Sequence, residues 1–387
     1  MSDRTLPTVI VLGTTQTLAW ASSYYLAAVL GDVIARDTGV STQWFFAAFS
    51  VSLLLSGFLG PRVGRRIDAV GGHGVLALSN VVFAVGLVLM ALATGPVMLG
   101  LAWLALGLGM AMGLYDAAFA TLGRIYGTSA RKPITGITLI AGFASTVGWP
   151  LTAWGISTIG WRDTCLAWAA VHILVGLPLN LFLLPRPKIT AAEKKAAQDE
   201  KVPIDRTMVL LATAFAMAWV VTAGMAAHFP RILEAAGATP AEAIAASALI
   251  GPAQVAARIF EASVLARFHP LVSARLATIT HPIGALVVAF AGGGIIAGAF
   301  SILHGLGNGI ITIARGTVPL SLFGPQSYGY RLGVIGAPAR ILQAFAPLVF
   351  ALMIDRWGSG VLIVSTALML GALMMLLLIR IPRNQGV

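Results

Sequence analysis

The residues of this chain best placed to do chemistry are Gln254, Arg258 and Glu261, set in the stretch Gly251-Pro252-Ala253-Gln254-Val255-Ala256-Ala257-Arg258-Ile259-Phe260-Glu261. The stretch lies in an apolar run long enough to cross a membrane. At i, i+4 and i+7 the three polar side chains share one face of a helix. A charge at membrane depth is costly, so such residues face protein or water and mark a site. Arginine stays charged at any physiological pH, and its planar fork grips a carboxylate with two parallel hydrogen bonds. The chemistry on offer is therefore recognition of a small anion. Gly251-Pro252 weakens the helix just upstream and frees a backbone carbonyl. The alternative is an Arg258–Glu261 pair that neutralises itself and locks two helices together.

Three more charges fall inside apolar runs: Asp116, Arg315 and Arg340. Arg258 and Arg340 are the candidate substrate anchors. Glu261 and Asp116 are the candidate coupling groups, because a carboxylate beside an arginine exchanges partners as it protonates. The competing reading is that all five charges pair with one another structurally. Softer candidates are Gln16, Trp20, Ser23 and Tyr24 on one face of the first run, with Tyr115, Trp149, Asn308 and Gln343 supplying hydroxyl, indole and amide groups. Polar groups of this kind orient a small ligand in an apolar wall, or bond helix to helix. His228 and His304 are taken as packing residues rather than proton carriers.

These residues need a membrane-embedded frame. The 387 residues are 58% hydrophobic and 10% charged, with mean hydropathy +0.89. A soluble domain carries roughly 25% charged residues, so the chain is an all-α integral membrane protein. Twelve spans are expected near 8–31, 42–61, 74–94, 97–123, 133–157, 163–184, 207–230, 242–265, 271–291, 294–323, 332–354 and 359–379. The least certain boundary is the ninth to tenth, at Gly292-Gly293-Gly294. Alternate loops on one side hold 18 of the 25 basic residues. The other side holds four (Arg36, Arg162, Arg231, Arg356), and three lie in spans. This asymmetry predicts that both termini are cytoplasmic. Loop placement of the basic residues also argues against nucleic acid, despite a net charge of +11. One cysteine, Cys165, excludes an internal disulfide framework.

The chain divides into residues 1–185, a polar linker 186–206 carrying Lys194, Lys195, Asp199, Glu200 and Lys201, and residues 207–387. The two parts repeat. Ala19-Trp20 recurs as Ala218-Trp219, Gly107-Leu108-Gly109 as Gly305-Leu306-Gly307, and Pro150-Leu151 as Pro347-Leu348, at offsets of 199, 198 and 197. A parallel repeat of six spans is the plan of one large transporter class, with its substrate site near the membrane midplane.

The loop Gly64-Arg65-Arg66-Ile67-Asp68-Ala69-Val70-Gly71-Gly72-His73 resembles the signature loop of the major facilitator superfamily, departing from it at His73 and Gly74. In that family the loop latches the outward-facing state. Asp68 would then cap a neighbouring helix N-terminus, and Arg65 or Arg66 would bind lipid phosphate or an acidic partner. The resemblance also sets the fourth and tenth spans across the cavity, so that Asp116–Arg315 or Glu261–Arg340 would form state-dependent bridges. The eighth-span stretch is similar to the monocarboxylate transporter and oxalate–formate exchanger branch, which implies that Arg258 binds a substrate carboxylate. The proton-coupling aspartate that many members of that branch carry four residues earlier is Gln254 here. Gly148-Trp149-Pro150 is faintly similar to the glycine–proline motif of antiporters, and packing of small residues explains it as well. Proton-linked drug exporters carry a fourth-span arginine, near whose place Trp103 stands.

The expected function is secondary active transport of a small organic anion, a carboxylate, by alternating access. Proton-coupled efflux of drugs or hydrophobic compounds, with Asp116 or Glu261 binding the cation, is the alternative. A proton or counter-anion is the expected coupling species, with membrane lipid as the surroundings and a monomer as the assembly. The expected location is a bacterial inner membrane. No phosphate-cradling loop, metal-ligand cluster or nucleophile–base pair is recognisable, so neither an enzyme nor a cofactor is expected.

Overall fold

The computed structural model describes residues 5–186, 190, 200, 202–291 and 294–381. Most of the expected linker lies outside the described residues, including Lys194, Lys195, Asp199 and Lys201. No strand occurs among the described residues. The helices are α1 (Thr5–Ala21), α2 (Leu26–Thr38), α3 (Thr42–Val70), α4 (His73–Ala91), α5 (Pro96–Gly113), α6 (Tyr115–Tyr126), α7 (Arg131–Ala141) and α8 (Ala144–Val171), the last continuing through two wide π-helical turns to Leu183. Then come α9 (Arg206–Ala235), α10 (Pro240–Ala248), α11 (Ile250–Ser263), α12 (Pro270–Ala291), α13 (Gly294–Phe323), α14 (Tyr328–Trp357) and α15 (Val361–Leu377).

Local chemistry sets the helix ends. Ser41 caps α3 by accepting the Trp44 N–H at 3.1 Å, and Asp205 caps α9 by accepting that of Met208 at 2.8 Å. Thr239 and Glu242 form a reciprocal capping box on α10. Nine continuous stretches among the described residues are long and apolar enough to cross a membrane. The stretch Pro96–Leu183 runs to 88 residues and Tyr328–Leu377 to 50, so each holds more than one crossing. Glycines with left-handed backbone turn the chain inside them: Gly127 at φ 56°, Gly160 at 83° and Gly358 at 55°. The twelve expected spans are thereby accounted for, and α12 and α13 flank the expected boundary at Gly292 and Gly293.

The repeat is written in the backbone as well. Gly39 and Gly237, Gly127 and Gly324, and Gly160 and Gly358 all have positive φ, and the pairs are separated by 198, 197 and 198 residues. A residue with a Cβ is strained in this conformation.

The chain forms two compact units. The first holds Met1–Val202 with Gly324–Ala337, the second Pro203–Phe323 with Pro338–Val387. In the first, α5 packs on α3 and α4, and α1 packs on α7 and α8. In the second, α13 packs on α11 and α12, while α15 packs on α9 and α12. Close backbone approach makes this possible. A Cβ on Gly305 would stand 2.7 Å from the Ile250 carbonyl oxygen, and one on Gly309 would stand 2.5 Å from that of Gln254. Small residues draw membrane helices together in this way.

Four spans are interrupted midway. The first breaks between α1 and α2 at Ser22–Tyr25, the fourth at Leu114, whose backbone is extended (φ −87°, ψ −174°), the fifth between α7 and α8 at Gly142–Phe143, and the eighth at Leu249. Such breaks free backbone groups and recur where transporters bind their cargo.

Candidate functional site

In the first unit, the polar residues singled out from sequence gather at two of these breaks. Gln16 is buried on α1 and its Nε2 donates to the Gly113 carbonyl at 2.6 Å, at the point where α5 ends. Its Oε1 has no donor among the described residues, and neither does the Trp20 indole N–H have an acceptor. These two orphaned atoms lie one helical turn apart. Around them the rings of Trp20, Tyr24, Tyr25 and Tyr115 form a continuous wall, with Trp20 5.1 Å from Tyr115 and 5.4 Å from Tyr24, centre to centre. The result is an apolar surface with one acceptor and one donor set into it. Trp149 stands beside this wall, largely exposed, and gives its indole N–H to the Tyr25 carbonyl at 3.2 Å.

A second cluster in the same unit is built from the signature loop. The Asp68 carboxylate accepts the backbone N–H groups of Gly329 and Tyr330, each at 2.8 Å. These are orphan donors of the first turn of α14, and an anion there also meets the positive end of the helix dipole. The expected capping role of Asp68 thus has its geometry. Arg65 places its guanidinium 4.2 Å over the Tyr330 ring, so its partner within the chain is an aromatic face. Gly64 lets α3 and the start of α14 touch, since a Cβ there would lie 2.0 Å from the Gly329 carbonyl oxygen. The Ser327 hydroxyl donates to Glu200. Asp116, in the first turn of α6, borders a small cavity with Gly60, Gly64 and Gly329, so it belongs with this cluster.

In the second unit, Arg258 lies on the buried face of α11 with Ala253, Ala257 and Glu261, while Ile259 and Phe260 point outward. It is only 5% exposed, yet its Nε and Nη1 have no hydrogen-bond acceptor among the described residues. No carboxylate among those residues lies within ion-pair distance of it, so the mutual Arg258–Glu261 pair is not formed. Gln254, one turn earlier, is half-buried. Glu261, Arg340 and Gln343 are buried and each interacts with other groups. Arg315 sits 5.0 Å over the ring of Trp219. Asn308 accepts the Thr222 hydroxyl at 3.2 Å.

Sequence reasoning missed a pair in this unit. His304 is not solitary: its Nδ1 lies 3.0 Å from Nδ1 of His281, whose Nε2 lies 2.9 Å from the Ser365 hydroxyl. The partners sit on α12, α13 and α15, and no spacing rule joins them. His228, by contrast, bonds the Pro347 carbonyl at 2.8 Å, the packing role expected of it.

Comparison with known proteins agrees with this architecture. Residues 12–337 match the sequence profile of the Major Facilitator Superfamily. The fold is shared with the proton:xylose symporter XylE bound to 6-bromo-6-deoxy-D-glucose (TM-score 0.74, 12% identity, 97% of this chain and 95% of that one). It is shared too with the human organic anion transporter MFSD10 (TETRAN) (TM-score 0.72, 16% identity, 97% of this chain and 100% of that one). An uncharacterized 38 kDa protein in the 23S RNA operon of Thermoproteus tenax is 32% identical over 176 residues, 45% of this chain and 46% of that relative, so the match spans about half of its length. With a profile match over most of its length and helices arranged as in these transporters, the chain belongs to the Major Facilitator Superfamily.

Proposed function

We propose that this chain is a secondary active transporter of a small organic anion, a carboxylate, with Arg258 as the anchor and alternating access as the mode. The observation that carries the reading is the buried guanidinium of Arg258, whose Nε and Nη1 meet no acceptor among the described residues, on the helix that follows the break in the eighth span. An unpaired charge at such depth is unfavourable by several kcal/mol, and an anionic ligand removes that penalty when it binds. Gln254, one turn away, offers an amide to the same ligand. Gln16 and Trp20 offer a further acceptor and donor in an aromatic wall. The fold shared with two transporters supports transport as the activity.

Drug efflux would place the binding charge on Asp116 or Glu261. Both already interact with other groups. Glu261, Asp116, Arg315 and Arg340 are assigned to coupling and gating, with Arg340 and Gln343 as secondary ligand contacts, and Asp68 and Arg65 as a latch on α14. The 18-to-4 distribution of basic residues supports cytoplasmic termini in a bacterial plasma membrane.

The test is thermal stabilisation of the purified chain by a panel of small carboxylates and a panel of lipophilic cations. Oxalate or lactate should stabilise the wild type and not Arg258→Ala. Stabilisation by carboxylates that survives the substitution unchanged would sink the assignment of Arg258.

A further inference from the structure

The chain holds two buried histidine networks, and they differ in one respect. In the first unit, His172 is closed at both ends: Nδ1 meets Asn80 Oδ1 at 2.8 Å and Nε2 meets the Ser22 hydroxyl at 2.6 Å. Asn80 Oδ1 can only accept, so Nδ1 carries the hydrogen, and Nε2 faces the one Ser22 hydrogen, which the Leu18 carbonyl 2.8 Å away also accepts. That ring is a satisfied structural residue. In the second unit, the row Ser365–His281–His304 is closed at one end only. His281 uses both ring nitrogens, one on Ser365 and one on His304. His304 uses Nδ1 alone, and among the described residues nothing hydrogen-bonds to its Nε2. His304 also lines a small cavity with Thr222, Asn308 and Ile311.

Hydrogen counting fixes what this row can do. Ser365 Oγ lies 3.1 Å from the Leu362 carbonyl as well as 2.9 Å from His281. If Ser365 donates to Leu362, then His281 donates through Nε2, His304 donates through Nδ1, and His304 Nε2 presents a lone pair to the cavity. If Ser365 donates to His281, every bond reverses and His304 Nε2 presents a hydrogen. Both arrangements keep the Ser365–His281 and His281–His304 bonds, and only the first keeps the Ser365–Leu362 bond, so the row can switch direction without moving an atom heavier than hydrogen. The cavity has room for about one water molecule. Thr222 uses its hydroxyl on Asn308 Oδ1, which leaves the Asn308 amide hydrogens for such a water.

We propose that the His281–His304 pair is a buried proton-binding site, loaded through His304 Nε2 from the Thr222–Asn308 cavity. The inference rests on the anion-transport reading above and names the coupling ion. A proton from the cavity adds to the Nε2 lone pair. The Nδ1 hydrogen of His304 then shifts along the existing hydrogen bond to His281, and the positive charge is shared by the two rings. No other bond forms or breaks.

The electrostatic surroundings explain why an anion would drive this loading. Charged and titratable groups on the packed helices are few. Arg275 on α12 is held by the carbonyls of Leu376 and Ile379, Arg315 on α13 lies over Trp219, and α15 carries no charged or titratable side chain. On α9 the groups are Arg206, His228, Arg231 and Glu234, on α10 the exposed Glu242, and on α11 Arg258 and Glu261. Among the described residues none of these bonds or ion-pairs with either ring. The helix carrying His304 touches the helix carrying Arg258 directly, at Gly305 and Gly309. With Arg258 unliganded, a second positive charge nearby is disfavoured. With a carboxylate on Arg258 that repulsion is cancelled, so anion binding and proton uptake favour each other.

The experiment measures both on the purified full chain near neutral pH, with oxalate and lactate as probes and a pH indicator in weak buffer. Binding is followed by thermal shift and proton uptake by the indicator. The wild type should take up about one proton per anion bound. His304→Gln should bind the anion with uptake abolished, and His281→Gln should behave likewise. Ser365→Ala removes only the far end of the row and should shift the pH midpoint of uptake, which keeps the test decisive where a histidine variant does not fold. Anion binding without proton uptake in the wild type overturns this inference and leaves the transport reading intact, as does uptake that persists in both histidine variants. Failure of the wild type to bind either anion or any of the wider carboxylate panel overturns the anion reading itself, and this inference with it.

Discussion

Asp68 accepts the backbone N–H of Gly329 at 2.8 Å, and with the Tyr330 N–H it fills two of the four donors left open at the start of α14. The carboxylate comes from the C-terminal end of α3, 261 residues earlier in the chain. Removing it leaves buried donors with no acceptor, which costs about 1–3 kcal/mol per group. Asp68→Ala should therefore lower the melting temperature and speed amide exchange at Gly329 and Tyr330. Asp68→Asn keeps an acceptor but loses the charge, and should fall between alanine and wild type. Unchanged protection at those two amides in Asp68→Ala would remove the cap from the account.

The empty guanidinium of Arg258 has an opposite signature. A buried charge with no partner destabilises the protein that carries it. Replacing it with an apolar residue of similar length should help the unliganded chain and ruin the liganded one. Arg258→Met is expected to melt higher than wild type without ligand, and to weaken carboxylate binding by at least about 30-fold, the equivalent of about 2 kcal/mol. A lower melting temperature with binding intact would show that Arg258 has a structural partner instead.

Helix α13 offers an internal control for close packing. Gly309 faces the Gln254 carbonyl, where a Cβ would clash, whereas a Cβ on Gly298 would meet only the tip of Leu249 at 3.5 Å. Gly309→Ala should destabilise by about 1–3 kcal/mol through overpacking. Gly298→Ala should be neutral or slightly stabilising, since it limits the unfolded chain. Equal melting temperatures for the two variants would contradict the packing described for α11 and α13.

Ion pairs at one rim of each unit repeat with their signs exchanged. Asp37 at the end of α2 pairs with Arg162 on α8, and Arg231 near the end of α9 pairs with Asp355 near the end of α14. In one unit the first span of the repeat brings the acid; in the other it brings the base. The polarity is therefore interchangeable. Asp37→Arg alone should lower the melting temperature, most visibly at low salt. Asp37→Arg with Arg162→Asp should restore it. A double variant no better than the single one would mean that Arg162 is fixed by its bond to the Ala93 carbonyl rather than by Asp37.

Much of this was readable before any coordinates, and the reasons are physical. A membrane span is set by composition over about 20 residues, so the twelve crossings could be counted from apolar runs. The Gly64–Asp68 spacing and the depth of Arg258 are likewise local. The break at Ser22–Tyr25 contains neither glycine nor proline, and Gly113 before the break at Leu114 is one of several glycines along its span, so neither break stands out in the sequence. The partner of Gln16 is a backbone carbonyl, freed by a break that the sequence does not announce. Arg65 lies over the ring of Tyr330, which arrives from a distant segment that no local spacing announces. His281 and His304 are 23 residues apart on different helices, and only packing brings their rings to one hydrogen bond.

The three pairs of left-handed glycines, Gly39 and Gly237, Gly127 and Gly324, Gly160 and Gly358, stand at matching places in the two halves of the repeat. The two halves of the repeat differ in their side chains: one carries a histidine bonded at both ring nitrogens, the other a row of two. An altered side chain can be answered by a neighbour, as the exchanged signs of the two rim ion pairs illustrate. A Cβ introduced at a left-handed turn has no neighbour able to answer it, because the strain lies within the residue itself. In this chain the handedness of three turns is the same in both halves of the repeat while the chemistry on either side of them differs.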